Sequence, residues 1–377
     1  MTRQSAEGQG AAEGSASTQR PPTRWRPRRQ GTGRPELDEH VVELLEASGA
    51  PVERWDQLFE ILVTTVGLGR DDVDRLDLKI TSAALREMRK AFAVFAPYRS
   101  VPKATVFGSA RALPDDPLYL QARGVASHLA TAGWMVVTGG GPGIMAAGME
   151  GAGRERSFGI SIRLPFEQSN AFLAGDPKHV EMKYFFTRKL MLLKESAGFA
   201  VLPGGFGTLD EALELLTLVQ TGKAQPCPIV LLDVAGGTYW QALERFMTDE
   251  VARRGFIGPE DLSLYRRTDD AREAAREIMG FYRNYHSLRF VGELTVLRLR
   301  AAPDERERRA LSEEFADICT EGGFEPSGPL DVEIADDDVV ELPRLVFRFD
   351  RAGHGRLRQL VDRLNRLSSA PVGPSMP

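Results

Sequence analysis

The stretch that decides the fold runs from Gly198 to Glu211 and reads GFAVLPGGFGTLDE. Gly198 to Leu202 is continuously apolar, short, and closed by Pro203 and Gly204, which reads as a strand buried on both faces. Gly204, Gly205 and Gly207 then let the backbone approach a ligand closely. A long helix is expected from Leu209 to about Thr221. Thr208 sits where its N-cap belongs and Glu211 lies three residues on, the spacing of a capping box. A strand that turns through glycines into a helix presents backbone N–H groups at the positive end of the helix dipole, which favours an anion such as phosphate. A plain helix cap would use the same residues, so the turn alone leaves both readings open.

Outward from this turn the pattern repeats. Ala104 to Phe107 is a short apolar run ending in Gly108-Ser109-Ala110-Arg111. A helix from Pro117 to Ala132 follows, stopped by Gly133. Trp134 to Val137 reads as a buried strand ending in Thr138-Gly139-Gly140-Gly141-Pro142-Gly143, then a helix from Ile144 to about Arg154. Further strands are expected at Gly159 to Ile162, ending near Leu164-Pro165, at Val180 to Phe185, and at Ile229 to Leu232. Further helices are expected at Thr187 to Ser196, Tyr239 to Arg253 and Ala271 to Tyr285. Apolar strands alternating with helices imply an α/β fold, a doubly wound parallel sheet covered on both faces. Ligands of such sheets bind beyond the carboxyl ends of the strands. The turns GSAR, TGGGPG and PGGFGT would share that edge, which points to a single site.

Different patterns flank this domain of residues 101–287. Residues 1–34 are polar, with Arg24, Arg26, Arg28, Arg29 and Arg34 near their end, and read as a disordered basic tail. Residues 35–100 read as a helical extension, its third helix running from about Ala83 to Phe95. Residues 288–367 read as a small α+β domain of ferredoxin-like type. Its expected elements are a strand at Arg289 to Leu299, a helix at Glu305 to Glu321, strands at Leu330 to Ile334 and Arg344 to Phe349, and a helix at about Gly355 to Leu367. Residues 368–377 read as a disordered tail.

The 377-residue chain has a net charge of −5 and 27% charged residues, so nothing global argues for nucleic acid. No apolar run is long enough to span a membrane. The two cysteines, Cys227 and Cys319, form no metal-spacing pattern, and the five histidines include no HxxxH or HxH pair. A cytoplasmic protein without a catalytic metal is expected.

The loop Thr138 to Met145 lacks the GxGxxG pattern followed by an acid after the next strand, which disfavours NAD; it also lacks Gly-Lys-Ser/Thr, which disfavours ordinary ATP hydrolysis. Arg188 and Lys189 open the helix before the PGG strand. A planar guanidinium suits phosphate or carboxylate, although a solvated helix face would use the same residues.

The segment TRKLMLLKESAGFAVLPGGFGTLDE resembles the RK…PGGxGTxxE signature of the LOG (Lonely Guy) family, often labelled "lysine decarboxylase-like". VFGSAR, VVTGGGPGIMAAGMEGA and GISIRLPFEQ resemble that family's successive turns. The resemblance covers roughly residues 100–285. It implies a modified Rossmann fold, no cofactor, and a nucleoside 5′-monophosphate phosphoribohydrolase that releases a free base and ribose 5-phosphate from AMP or a related purine nucleotide. By resemblance, Arg188 and Glu211 would be catalytic, and Gly204, Gly205, Gly207 and Thr208 would hold the phosphate. Gly140, Gly141 and Gly143 would line the adjacent wall, with Gly108, Ser109 and Lys189 as further substrate contacts. A homodimer or higher homo-oligomer is implied too. Ala146 stands where many relatives carry an acid, and Glu150 lies one turn later. The decarboxylase label fits poorly, because that chemistry needs pyridoxal phosphate on a lysine and no such context appears. A nucleotide sensor or carrier that binds without turnover is the alternative reading.

Overall fold

The computed structural model describes Trp25 and residues 31–163 and 173–373. Most of the tail expected over residues 1–34, the last four residues of the tail expected over 368–377, and the strand end near Leu164-Pro165 lie outside the described residues. The chain divides into two compact units, Met1–Ser82 and Ala83–Pro377.

In the first unit, α1 (Pro35–Ser48) starts with Pro35 in its first turn and ends at Gly49, whose φ of 69° suits a residue without a side chain. It packs on α2 (Trp55–Arg70) through Val41, Val42, Leu45, Trp55 and Phe59. The next helix, α3 (Arg75–Phe95), starts eight residues before the expected Ala83. The unit boundary falls inside α3, and its Ala91 and Phe95 belong to the core of the second unit.

The second unit is built on β1 (Lys103–Phe107), β2 (Met135–Thr138), β3 (Ser157–Ile162), β4 (His179–Met182), β5 (Gly198–Val201), β6 (Ile229–Leu232) and β7 (Arg266–Thr268). All seven strands pair in parallel, in the order β4-β3-β2-β1-β5-β6-β7. Successive strand side chains point to opposite faces, and each face is covered by its own helices. Ala104, Val106, Val136 and Ala200 face α4 (Pro117–Thr131), α5 (Ile144–Ala152) and α9 (Ala271–Gly280). Phe107, Val137, Phe199 and Val201 face α3, α6 (Phe185–Lys194), α7 (Phe206–Gln220) and α8 (Tyr239–Phe246). Burial on both faces explains why these strands are continuously apolar. This is the expected doubly wound α/β fold. The chain winds outward from β1 to β4 on one side and resumes with β5 on the other, so the topological switch lies between β1 and β5.

Some elements differ from expectation. The helix expected to reach Arg253 passes at Phe246 into a π-helical stretch, Met247–Ala252. The edge strand β7 is short and largely exposed, so it carries no apolar run to announce it.

The chain continues with β8 (Tyr285–Val291), β9 (Leu294–Leu299), α10 (Glu305–Glu314), β10 (Cys319–Ser327), α11 (Asp331–Ala335), β11 (Arg344–Phe349) and α12 (His354–Leu364). The strands form an antiparallel sheet of order β10-β11-β9-β8. The ferredoxin-like expectation is therefore corrected on three points. The single strand foreseen at Arg289 to Leu299 is a hairpin turning at Gly292, where φ is 59°. The stretch Leu330 to Ile334 is helical, because Glu333 folds back onto the Leu330 N–H at 3.0 Å and its buried carboxylate holds Arg298 and Arg344. A strand at Cys319–Ser327 was not foreseen, since most of its side chains are exposed and give no alternation. This sheet shares one core with the α4–α9 face of the larger sheet, through Tyr285, Leu297, Phe349 and Leu364. The tail expected from residue 368 is anchored at its start: the Ser368 hydroxyl donates to Glu307 at 2.6 Å and the Ser369 N–H at 3.2 Å.

Candidate active site at the topological switch

The turns after β1 and β5 meet at the switch point and enclose a pocket of about 740 Å³. One hydrogen bond joins these two turns, the Ser109 N–H donating to the Pro203 carbonyl at 3.1 Å; the Ile144 N–H, at the end of the turn after β2, donates to the Ser109 carbonyl at 3.0 Å, and the Tyr239 hydroxyl, from α8, to the Gly204 carbonyl at 2.7 Å. The close approach depends on Gly143, whose φ is 65° and where a Cβ would lie 2.3 Å from the Ser109 carbonyl oxygen.

The capping-box reading of Thr208 and Glu211 is corrected here. Helix α7 begins at Phe206, its N-cap is Gly205, and no side chain caps it. Both Thr208 and Leu209 donate their N–H groups to the Gly205 carbonyl. Thr208 is thus inside the first turn and lines the pocket with Gly204, Gly205 and Gly207. A helix start without a side-chain cap, aimed into a cleft, is suited to an anion.

Glu211 lies one turn further along α7, 7% exposed, and its Oε2 is buried without a hydrogen-bond partner in the protein. Burial raises its carboxyl pKa to about 7, against the opposing pull of Lys189 and Arg188. Arg188 enters the same pocket from α6. Its Nε donates to the Ile160 carbonyl at 2.9 Å, and its Nη2 lies 3.4 Å from the Gly139 carbonyl.

Of the residues singled out in the sequence, Gly108, Ser109, Arg188, Gly204, Gly205, Gly207, Thr208 and Glu211 line this pocket. Gly140, Gly141 and Gly143 do not; Gly140 is buried against Leu173 and Ser161, and Gly143 serves the packing of two turns. Lys189 does not line it either, because its ammonium is held by Asp210 at 2.7 Å and by Glu214. Glu150 is occupied by a hydrogen bond with the Tyr119 hydroxyl and lies outside the pocket. The sequence reading did not single out Arg111, Gly139, Met145, Phe185 and Phe206 as site residues, though all line the pocket. Arg111 and Gly139 could have been found, since they belong to the GSAR and TGGGPG turns. Among the described residues no group of His, Cys, Asp and Glu is placed to hold a metal ion.

Residues 142–278 match a protein family described as "possible lysine decarboxylase". The probable cytokinin riboside 5′-monophosphate phosphoribohydrolase LOG6 of Arabidopsis thaliana is 33% identical over 142 residues, 37% of this chain and 68% of that protein. The chain belongs to the LOG family. A second LOG protein of Arabidopsis thaliana, cytokinin riboside 5′-monophosphate phosphoribohydrolase LOG1, is 36% identical over 91 residues, 24% of this chain. The match spans only 41% of that relative's length. Among solved structures, the molybdenum cofactor binding protein from Rippkaea orientalis aligns with a TM-score of 0.33 at 19% identity, covering 48% of this chain and 95% of that one. The family-model match, residues 142–278, contains Arg188 and Glu211, both of which line the pocket.

Proposed function

We propose that the protein hydrolyses the N-glycosidic bond of a purine nucleoside 5′-monophosphate, AMP or a close relative, to a free base and ribose 5-phosphate. The observation that carries this reading is Glu211: a buried carboxyl titrating near neutrality, one helical turn from an anion-binding turn. With the phosphate at the start of α7, the ribose extends toward Glu211. The C1′–N bond breaks with its electrons passing to the base, which takes up a proton from solvent. Water adds to C1′ through its oxygen and gives its proton to Glu211, which afterwards returns it to solvent. A base with a pKa near the working pH is well matched to that transfer, and its negative charge stabilises the oxocarbenium-like transition state. Arg188, fixed on the backbone of β3, orients the ribose phosphate or holds Glu211 ionised. The reading needs no metal and no cofactor.

Phe185, Phe186 and Leu190 on α6 and Phe206 on α7 are exposed, Phe206 by 93%. Exposed apolar residues clustered beside a pocket mark an interaction surface, and a second copy of the chain is the proposed occupant. A cytoplasmic setting accords with two free cysteines, and no helix among the described residues is long and apolar enough to cross a membrane.

The test is a panel of purine and pyrimidine monophosphates incubated with the purified protein. Release of base and ribose 5-phosphate from a purine member supports the reading. Binding across the panel without release would assign a nucleotide sensor instead.

A further inference from the structure

A second groove, of about 560 Å³, lies between α3 and the segment that leads into β4, away from the catalytic pocket. One end is cationic. Arg86, Arg89 and Lys90 recur at three- and four-residue spacing and so share a face of α3. The other end is apolar, formed by Ala93, Pro97 and Tyr98, with Tyr98 held edge-on against Phe158 at 5.2 Å. Lys178 closes the far wall and its charge is already answered by Asp176 at 2.9 Å. Arg89 and Lys90 are exposed and have no ion-pair partner among the described residues, and no carboxylate lines the groove among them.

Glu87, on the same helix, contacts the start of α6, the helix that carries Arg188. Glu87 accepts hydrogen bonds from the Lys183 N–H at 2.9 Å and from the Thr187 hydroxyl at 2.6 Å. Thr187 is fully buried at the start of α6, next to Arg188. Glu87 thus ties α3 to the residue that precedes Arg188.

We propose that this groove binds a phosphorylated small molecule of the nucleotide class, with its phosphates on Arg89 and Lys90 and its base on Pro97 and Tyr98, and that Glu87 relays occupancy to Arg188. Adjacent cations on one helical turn match a chain of phosphates better than a single one. A charged end joined to a flat apolar end matches a nucleotide better than an inorganic anion. The volume is that of an ordinary small-ligand site. A nucleic acid fits less well, because the chain carries a net charge of −5.

The experiment is calorimetric titration of the full chain with ATP, with tripolyphosphate, and with a short single-stranded oligonucleotide. The expected result is saturable binding of ATP, tighter than tripolyphosphate, that weakens at least about tenfold in Arg89→Glu/Lys90→Glu. Arg111→Ala, on the catalytic pocket, should leave that affinity unchanged. Loss of binding in Arg111→Ala but not in the double variant would overturn the proposal, as would binding of the oligonucleotide alone or of neither phosphate probe. Equal affinities for ATP and tripolyphosphate would overturn the base ledge. Hydrogen exchange across residues 184–192 should slow on adding ATP to the wild-type chain and not to the double variant; no change in either would overturn the relay.

Discussion

Gly139 and Arg188 are in such close contact that a Cβ at position 139 would lie 2.0 Å from the Arg188 Nη2. The turn after β2 thus serves as the seat of the guanidinium that α6 delivers. Arg188 is held by the backbone of β3 and of the turn after β2, while Glu211 is left without a protein partner on one oxygen. One charged group is fixed and the other is available.

Gly139→Ala is expected to displace the guanidinium without unfolding the sheet. Misplacing a catalytic group by about 1 Å costs on the order of a hundredfold in rate. Steady-state kinetics on a purine monophosphate, with circular dichroism as the control, should show a loss of that size in kcat/KM and an unchanged spectrum.

Glu211 makes stability depend on pH in a defined direction. Its folded pKa, about 7, is above the ordinary 4.5. Between these values the folded state binds the extra proton, so stability falls as pH rises through this window. At about 1.4 kcal/mol per unit, ionising the buried carboxyl costs on the order of 3 kcal/mol. Glu211→Gln should therefore raise Tm at pH 8 and change it little at pH 4, as read by thermal melts across that range.

Glu307 should behave in the opposite sense. Burial pushes its carboxyl up, but hydrogen bonds from Ser368, Ser369 and the Asp304 N–H outweigh this and bring it to about 2. Its contribution is fully present above the unfolded pKa and is lost as pH falls toward 2. Glu307→Ala removes both a capping box and the anchor of the C-terminal segment. The expected cost is about 1–3 kcal/mol at pH 7 by urea denaturation, shrinking in acid.

The apolar residues beside the pocket give a test of assembly. Phe185→Asp/Phe206→Asp should convert a homo-oligomer to monomer in sedimentation velocity, with Tm changed little because both side chains are exposed.

Much of this architecture was legible because burial on two faces leaves an unmistakable apolar run: β1, β2, β5 and β6 were each placed to within one residue. The shared sheet edge followed from three glycine-rich turns. What escaped had a physical cause in each case. β7 and β10 are edge strands whose exposed residues carry no alternation. The start of α7 was misplaced because its N-cap is Gly205, which signals nothing by side chain, whereas Thr208 looked like a cap. Lys189 resembled a ligand contact, but Asp210 and Glu214 claim it from the neighbouring helix. The pocket's aromatic rim, Phe185 and Phe206, was hidden for the opposite reason: apolar residues at helix starts are ordinarily read as core.

The central claim rests on Glu211 as the proton acceptor. The decisive measurement compares adenine release and AMP binding by the wild-type chain and by Glu211→Gln. Release by the wild type, abolished in the variant while AMP still binds, is the predicted result. Release undiminished in the variant, or AMP bound by the wild-type chain but never cleaved, would contradict it.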